Sequence, residues 1–375
     1  VVMLFENNTT YEAGWTLAFA RTGHEQLVVV AKATYELPLA EPSWAEPALA
    51  EQQVPLLDSD EFAGDPETTA MRFENDYATH KPRCDVVLHG SAYPPDGRPT
   101  PRVEVSMRVG ALHKRFVVTG DRGWVRAAGS FVPSPPTMFA RQRFSYDTAY
   151  GGTELAPRNP GRVATCLANP VGRGYAIAGL DEDVYPMPNT EELGRQITAP
   201  GRDYRPMALG PIGRHWQPRV RYGGSYDEQW LQERAPFWPD DFDYRYFQCA
   251  PPDQQVPYPV GGEPVELIGL TPAGSLRMRL PKLELPVLFV PHVGAPEEVR
   301  AKVDTIVLEP DAGRMTLTWR VTKTLAREVF ELANTVVGGR GERWMRAQRA
   351  RARGKTYYPS LGALVAARKR ERGGA

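Results

Sequence analysis

The chain has 375 residues, and its 45 basic side chains balance 45 acidic ones, so the formal net charge is zero. That length buries a sizeable core without cross-links, and Cys84, Cys166 and Cys249 lie too far apart for a zinc motif or a disulfide framework. Abundant Pro (36) and Gly (34) beside 10% aromatic residues exclude a disordered chain and predict a turn-dense fold with few long helices.

Strand-like runs come first. Residues 26–37, QLVVVAKATYEL, are rich in β-branched side chains and stop at Pro38. Runs at 84–91 and 103–109 follow, the second alternating apolar and polar positions, and 115–119 and 124–126 continue the pattern. Turn-forming YPPDGRP and TGDRG separate them, as between antiparallel strands. Residues 1–130 are therefore expected to form an N-terminal β domain.

Residues 131–262 form a Gly/Pro/aromatic-rich central region with little periodicity, whose structure must come from tertiary packing of loops. Its first half, 144–175, sets glycines and prolines between aromatics. A phosphate cradle needs a Walker spacing or a G-x-G-x-x-G; Gly172 and Gly174 supply only the first pair, and Pro170 favours a turn. A linker would not interleave Phe144, Tyr146, Tyr150 and Tyr175, so ordered turns are expected. The tripeptide YGG recurs at 150–152 and 222–224, by duplication or by chance.

The second half carries an acidic and aromatic stretch at 226–254. Asp227, Glu228, Asp240, Asp241, Asp243 and Asp253 lie among Trp230, Trp238 and Tyr244. Carboxylates beside aromatics suit a carbohydrate-active hydrolase, which is the alternative enzymatic reading. Calcium binding is a second possibility, although DDFD does not reproduce an EF-hand loop. The plainer reading gives Asp240 and Asp243 turn and cap hydrogen bonds, with Arg234 and Arg245 neutralising their neighbours. The six histidines show no metal-ligand spacing, and there is no G-x-S-x-G. No catalytic residue, metal ligand or cofactor is assigned.

Residues 263–340 are expected as a C-terminal β unit packed with the central region, including a hairpin that turns at Asp311, Ala312 and Gly313, with Leu317 and Trp319 on one face. The last segment, 341–375, is a basic helical tail. One short helix is predicted at 342–352, with Trp344 and Met345 inward, and another after an N-cap at Ser360, with Leu361, Leu364 and Val365 on one face. Between Arg340 and Arg372, eleven basic residues face two acidic ones, which fits a solvated face or, alternatively, a site for an anion or nucleic acid. No stretch has the length of a membrane span and no leader pattern opens the chain, so a cytoplasmic protein without membrane insertion is expected. The expected fold is mainly β: antiparallel sandwich or barrel-like units, a turn-rich central region and a small helical C-terminus.

Several of these stretches resemble one family. KPRCDVVLHGSAYPPDGRP, VVTGDRGW, AYGG with NPVGRGY, and RYGGSYDEQWLQERAPFWPDDFDYRYFQCAPPDQ are similar, in order, to the domain-of-unknown-function family 2169. The similarity runs from ATYEL to RGKTYYPSLGALV, nearly the whole chain, and of the Asn-Pro pairs at 159 and 169 the second, in NPVGRGY, fits the family better. The resemblance implies an adaptor or chaperone of bacterial type VI secretion, a protein that binds a secreted effector and helps load it onto the PAAR/VgrG spike. It carries over no catalytic residues. On that reading the motifs form a partner-binding platform. Tyr150, Gly151, Gly152, Asn169 and Pro170 belong to it, with Gly172, Gly174 and Tyr175 beside them. Tyr226, Asp227, Trp230, Trp238, Asp240 and Asp243 complete it, with rigid aromatic contact area held by Pro and Gly turns.

Overall fold

The computed structural model describes residues 3–39, 44–154, 163–175, 184–200, 203–326, 328–358, 365 and 368. Two large sheets dominate it. Their strands are β1 (Leu4–Asn7), β2 (Glu12–Phe19), β3 (Glu25–Glu36), β4 (Cys84–Leu88), β5 (Arg102–Val109), β6 (Leu112–Thr119) and β7 (Thr190–Glu192). After the central region come β8 (Pro264–Ile268), β9 (Ser275–Arg279), β10 (Leu285–Pro291), β11 (Glu297–Glu309), β12 (Arg314–Thr324) and β13 (Leu332–Val337).

The first sheet runs β1–β13–β10–β11–β12–β3–β2, and β4 adds in parallel beside the second half of β11. Its two ends, β1 and β2, are consecutive in the chain. Only Asn8 to Tyr11 join them, and four residues span at most about 14 Å. The sheet must therefore curl until its ends approach, giving a nearly closed barrel. Tyr11 stacks on Trp319 at 5.3 Å beside that seam. Ala31, in register with both Ala13 and Trp319, is small enough to leave room for the two rings.

The second sheet, β7–β6–β5–β8–β9, is antiparallel throughout. Val105, Met107 and Phe116 of this sheet share one apolar core with Leu27, Val29 and Leu317 of the barrel. Strands from the first and last thirds of the chain thus interleave. β3 pairs with β12 and β5 with β8, so the stretches 1–130 and 263–340 build one body together.

Residues Leu27 to Tyr35 of β3 are all buried, because the barrel's outer face is also covered. That outer face is polar. Lys32, Thr34, Thr316, Thr318 and Arg320 lie on it, beneath segments from 53–81 and 211–250. The predicted hairpin turns through Pro310–Ala312, and Gly313 adopts φ 66°, where glycine is favoured. Helix α2 covers Glu342–Ala352. Its Trp344 is partly buried, but Met345 is 41% exposed, contrary to the inward placement expected for it: successive helix positions are turned about 100° apart, so the two side chains do not share a face. Of the helix expected from Ser360 only Val365 and Arg368 are among the described residues; both are helical, and Val365 is 47% exposed. Among the described residues no helix is long and apolar enough to cross a membrane.

Candidate functional site

The two halves of the central region do different work. In the first, Ser145 opens a single helical turn, Tyr146–Thr148, and Tyr150–Gly151 then pairs in parallel with Arg173–Gly174. Asn169 lies fully buried between them. Its Nδ2 donates to the carbonyls of Tyr146 (2.9 Å) and Tyr150 (3.0 Å), and its own carbonyl accepts from the Gly152 amide (2.8 Å).

The glycines let the two backbones touch. A Cβ on Gly151 would lie 2.2 Å from the Asn169 carbonyl oxygen, and one on Gly172 would lie 2.4 Å from Asn169 Nδ2. Gly152 and Gly174 hold φ 107° and 82°. Tyr150 is buried against Tyr204 and Tyr175, at ring distances of 5.2 and 6.2 Å, in a cluster with Trp124, Tyr185 and Met187. Pro170 and Tyr175 are half-buried. This knot is a fixed support rather than open contact area. The second YGG differs: Gly223 has φ −68° and ends the turn Arg219–Tyr222, so the repeated tripeptide does not repeat a structure.

In the second half residues 225–236 are largely exposed, whereas Phe242 and 247–250 are buried. Asp227 caps the short helix α1 (Glu228–Glu233), its Oδ1 accepting from the Trp230 amide at 2.9 Å. Trp230 Nε1 donates to the Phe237 carbonyl at 2.8 Å, while its ring meets Tyr226 at 4.7 Å. Trp238 stacks on Phe242 at 4.3 Å and donates to the Phe19 carbonyl at 3.0 Å, docking this segment on the end of β2.

The carboxylates here are capped or paired. Asp240 meets Arg234 at 3.1 Å, and Asp241 accepts from the Ser225 amide and hydroxyl. Asp243 accepts from the Arg245 amide and pairs with its guanidinium, which holds its carboxyl below the ordinary range despite partial burial. Asp253 reaches Lys114 at 3.1 Å and Arg205 at 3.4 Å. Each therefore has a local partner. Among the described residues no group of three or more His, Cys, Asp or Glu side chains is placed to hold a metal ion.

What remains exposed is distinctive. Tyr226 (55%) and Leu231 (64%) stand open to solvent, surrounded by exposed Asp227, Glu228, Glu233, Asp240 and Asp241. Over 225–245 six carboxylates outnumber Arg234 and Arg245, and Arg21 also reaches this segment at the Asp240 carbonyl. Leu231 was not among the residues singled out from sequence; its i+4 spacing from Asp227 on a capped polar helix is the signal that marks it as an outward apolar residue.

A second arrangement left no mark in the sequence. Glu74 is buried, with Arg214 at 3.0 Å, Lys81 at 3.4 Å and Arg219 also bonded to it. Lys81 reaches Asp85 at 2.9 Å. Burial opposes the Lys81 charge, but Asp85, Cys249 and Glu74 outweigh it and hold the ammonium's pKa above its ordinary value. These groups tie the cover segment 60–81, β4 and the 212–219 loop together.

A family model described as an uncharacterized protein conserved in bacteria, DUF2169, matches residues 22–320. No curated protein and no solved structure matches the chain.

Proposed function

The chain belongs to the DUF2169 family, and on that premise we propose that it is an adaptor that holds a type VI secretion effector and helps deliver it to the PAAR/VgrG spike. The observation that carries this reading is the promontory at 226–243. Exposed Tyr226 and Leu231 ringed by carboxylates make an apolar anchor inside an acidic rim, the anatomy of a protein-binding patch for a basic partner. The docking of Trp238 on the Phe19 carbonyl and its stacking on the buried Phe242 anchor that patch to the body, which limits the ordering cost of binding.

The test is co-purification of the effector encoded beside this protein, with thermal melts in parallel. Leu231→Asp and Tyr226→Ala should leave the melting temperature nearly unchanged and weaken capture at least about tenfold. Full capture by the folded double variant would remove the promontory from the reading. Glycan or ester turnover that Asp240→Asn plus Asp243→Asn abolishes, with the fold retained, would replace the adaptor with a hydrolase.

A further inference from the structure

Two cavities share one arginine. The first, of about 240 Å³, lies between the polar outer face of the barrel and its cover; the second, of about 320 Å³, lies beside it. Arg72 lines both.

The charges around the first cavity are nearly all matched. Lys32 pairs with Asp76, Lys81 with Asp85 at 2.9 Å, Arg314 with Glu309 at 2.7 Å and Arg320 with Asp304 at 2.6 Å. Two side chains are exceptions, the exposed carboxylate of Glu61 and the guanidinium of Arg72. Among the described residues no carboxylate lies within ion-pair distance of Arg72, and its nearest aromatic partner is the Phe73 ring at 5.5 Å. Its Nε is shielded from water and donates to nothing.

The second cavity adds two groups of the same need. His89 Nε2 is likewise shielded and unpartnered, and the ring is held edge-on against Phe73 at 4.8 Å. Arg143 is exposed at the rim and has no carboxylate partner among the described residues. The lone acid of this cavity is already engaged: Asp147 Oδ1 accepts from the Ala70 amide at 2.7 Å and Oδ2 from the Ser145 hydroxyl at 2.9 Å.

Arg72 is half-buried, and its Nε–H, withdrawn from water without an acceptor, is costly to leave unmade. The protein supplies a carboxylate to each of the other four cations and withholds one here. We propose that the cleft formed by Arg72, His89 and Arg143 binds a small-molecule oxyanion, a phosphate or carboxylate group that completes the missing charge. Arg72 supplies the fork of donors, Arg143 closes over the ligand from the rim, and His89 lies within the same wall.

His89 adds a pH signature. Burial and the charges of Arg72 and Arg143 outweigh Glu309 on β11 and hold its pKa at about 4. An anion that offsets the two arginines raises that value, so binding must tighten as pH falls toward it.

The probes are sodium phosphate, sulfate and acetate, each at ionic strength matched with chloride, followed by calorimetry and thermal melts of the whole protein. A saturable rise in melting temperature is expected, with sulfate binding tighter at pH 5 than at pH 7. Arg72→Met should remove the response while leaving the protein folded. Arg143→Ala, at an exposed position, should weaken binding severalfold and guards against a folding artefact in the first variant. Preference for phosphate and sulfate assigns a tetrahedral ligand; preference for acetate assigns a carboxylate. No saturable response to any of the three beyond chloride, or a response unchanged in both variants, overturns the proposal.

Discussion

Asn169 Nδ2 donates to the main-chain oxygen of Tyr150 at 3.0 Å, and through that bond a buried side chain sets the geometry of a Gly-rich loop nineteen residues away. The same nitrogen satisfies Tyr146 at 2.9 Å. Replacing Asn169 with Ala removes a donor from each of two buried carbonyls, with Tyr146 keeping a longer bond from the Ala149 amide at 3.3 Å, at about 1–2 kcal/mol each. Urea unfolding of Asn169→Ala should therefore show a loss of about 2–4 kcal/mol. A loss below about 0.5 kcal/mol would mean that water replaces the amide and that the knot is not fixed by it.

The glycines of the knot should separate from glycines elsewhere. Gly152 has φ 107°, and a Cβ there would lie 2.6 Å from the Gly172 carbonyl oxygen. Gly97 also has positive φ, 64°, but nothing lies within 4 Å of its Cβ position. Gly97→Ala pays only backbone strain, about 1–2 kcal/mol, whereas Gly152→Ala adds a backbone collision and should cost clearly more. Equal melting temperatures for the two variants would show that the close approach relaxes freely.

The strands were legible because their signals are local. The run at 26–37 became Glu25–Glu36, and the helix expected at 342–352 is Glu342–Ala352. Their pairing was not legible. Nothing near Val30 announces Arg320 as its partner almost three hundred residues away, so strands of one body read as separate N- and C-terminal units. The candidate site divides the same way. Asp227 and Asp243 sit where capping chemistry puts them, but Tyr150 and Tyr226 look alike in sequence, and only tertiary packing buries one and exposes the other. The ion pairs of Glu74 join residues 74, 81, 214 and 219, and charged residues that far apart carry no periodic signature.

The three thiols should be silent in the folded protein. Cys84, Cys166 and Cys249 are free and buried, and burial pushes each thiol above its ordinary pKa. Thiolate is the reactive species, so a disulfide reagent at pH 8 should label none of them within minutes and all three in denaturant. Cys166, the least buried at 9%, should be the first to react on gentle warming. Immediate labelling of Cys84 or Cys249 would show that the sheet opens at room temperature.

The last prediction follows from Glu74. Burial alone raises its carboxyl pKa, but the charges of Arg219, Lys81 and Arg214 together outweigh burial and hold it below the ordinary 4.5. A carboxyl whose pKa falls on folding contributes stability that is fully present above 4.5 and is lost as pH drops through the folded value. Each such group adds up to about 1.4 kcal/mol per pH unit to the acid slope. Asp60, held below its ordinary value by Arg214 despite burial, contributes in the same direction. Glu74→Gln removes the charge from beneath three cations and should cost about 3 kcal/mol at pH 7, the scale of breaking a buried pair. It should also flatten the fall in stability below pH 4.5, because one fewer group takes up a proton on unfolding. Urea midpoints for the protein and for Glu74→Gln from pH 7 to pH 3 measure both effects. If the two curves stay parallel through that window, the acid sensitivity of the fold lies elsewhere, and Glu74 serves only as a hydrogen-bond acceptor for its arginines.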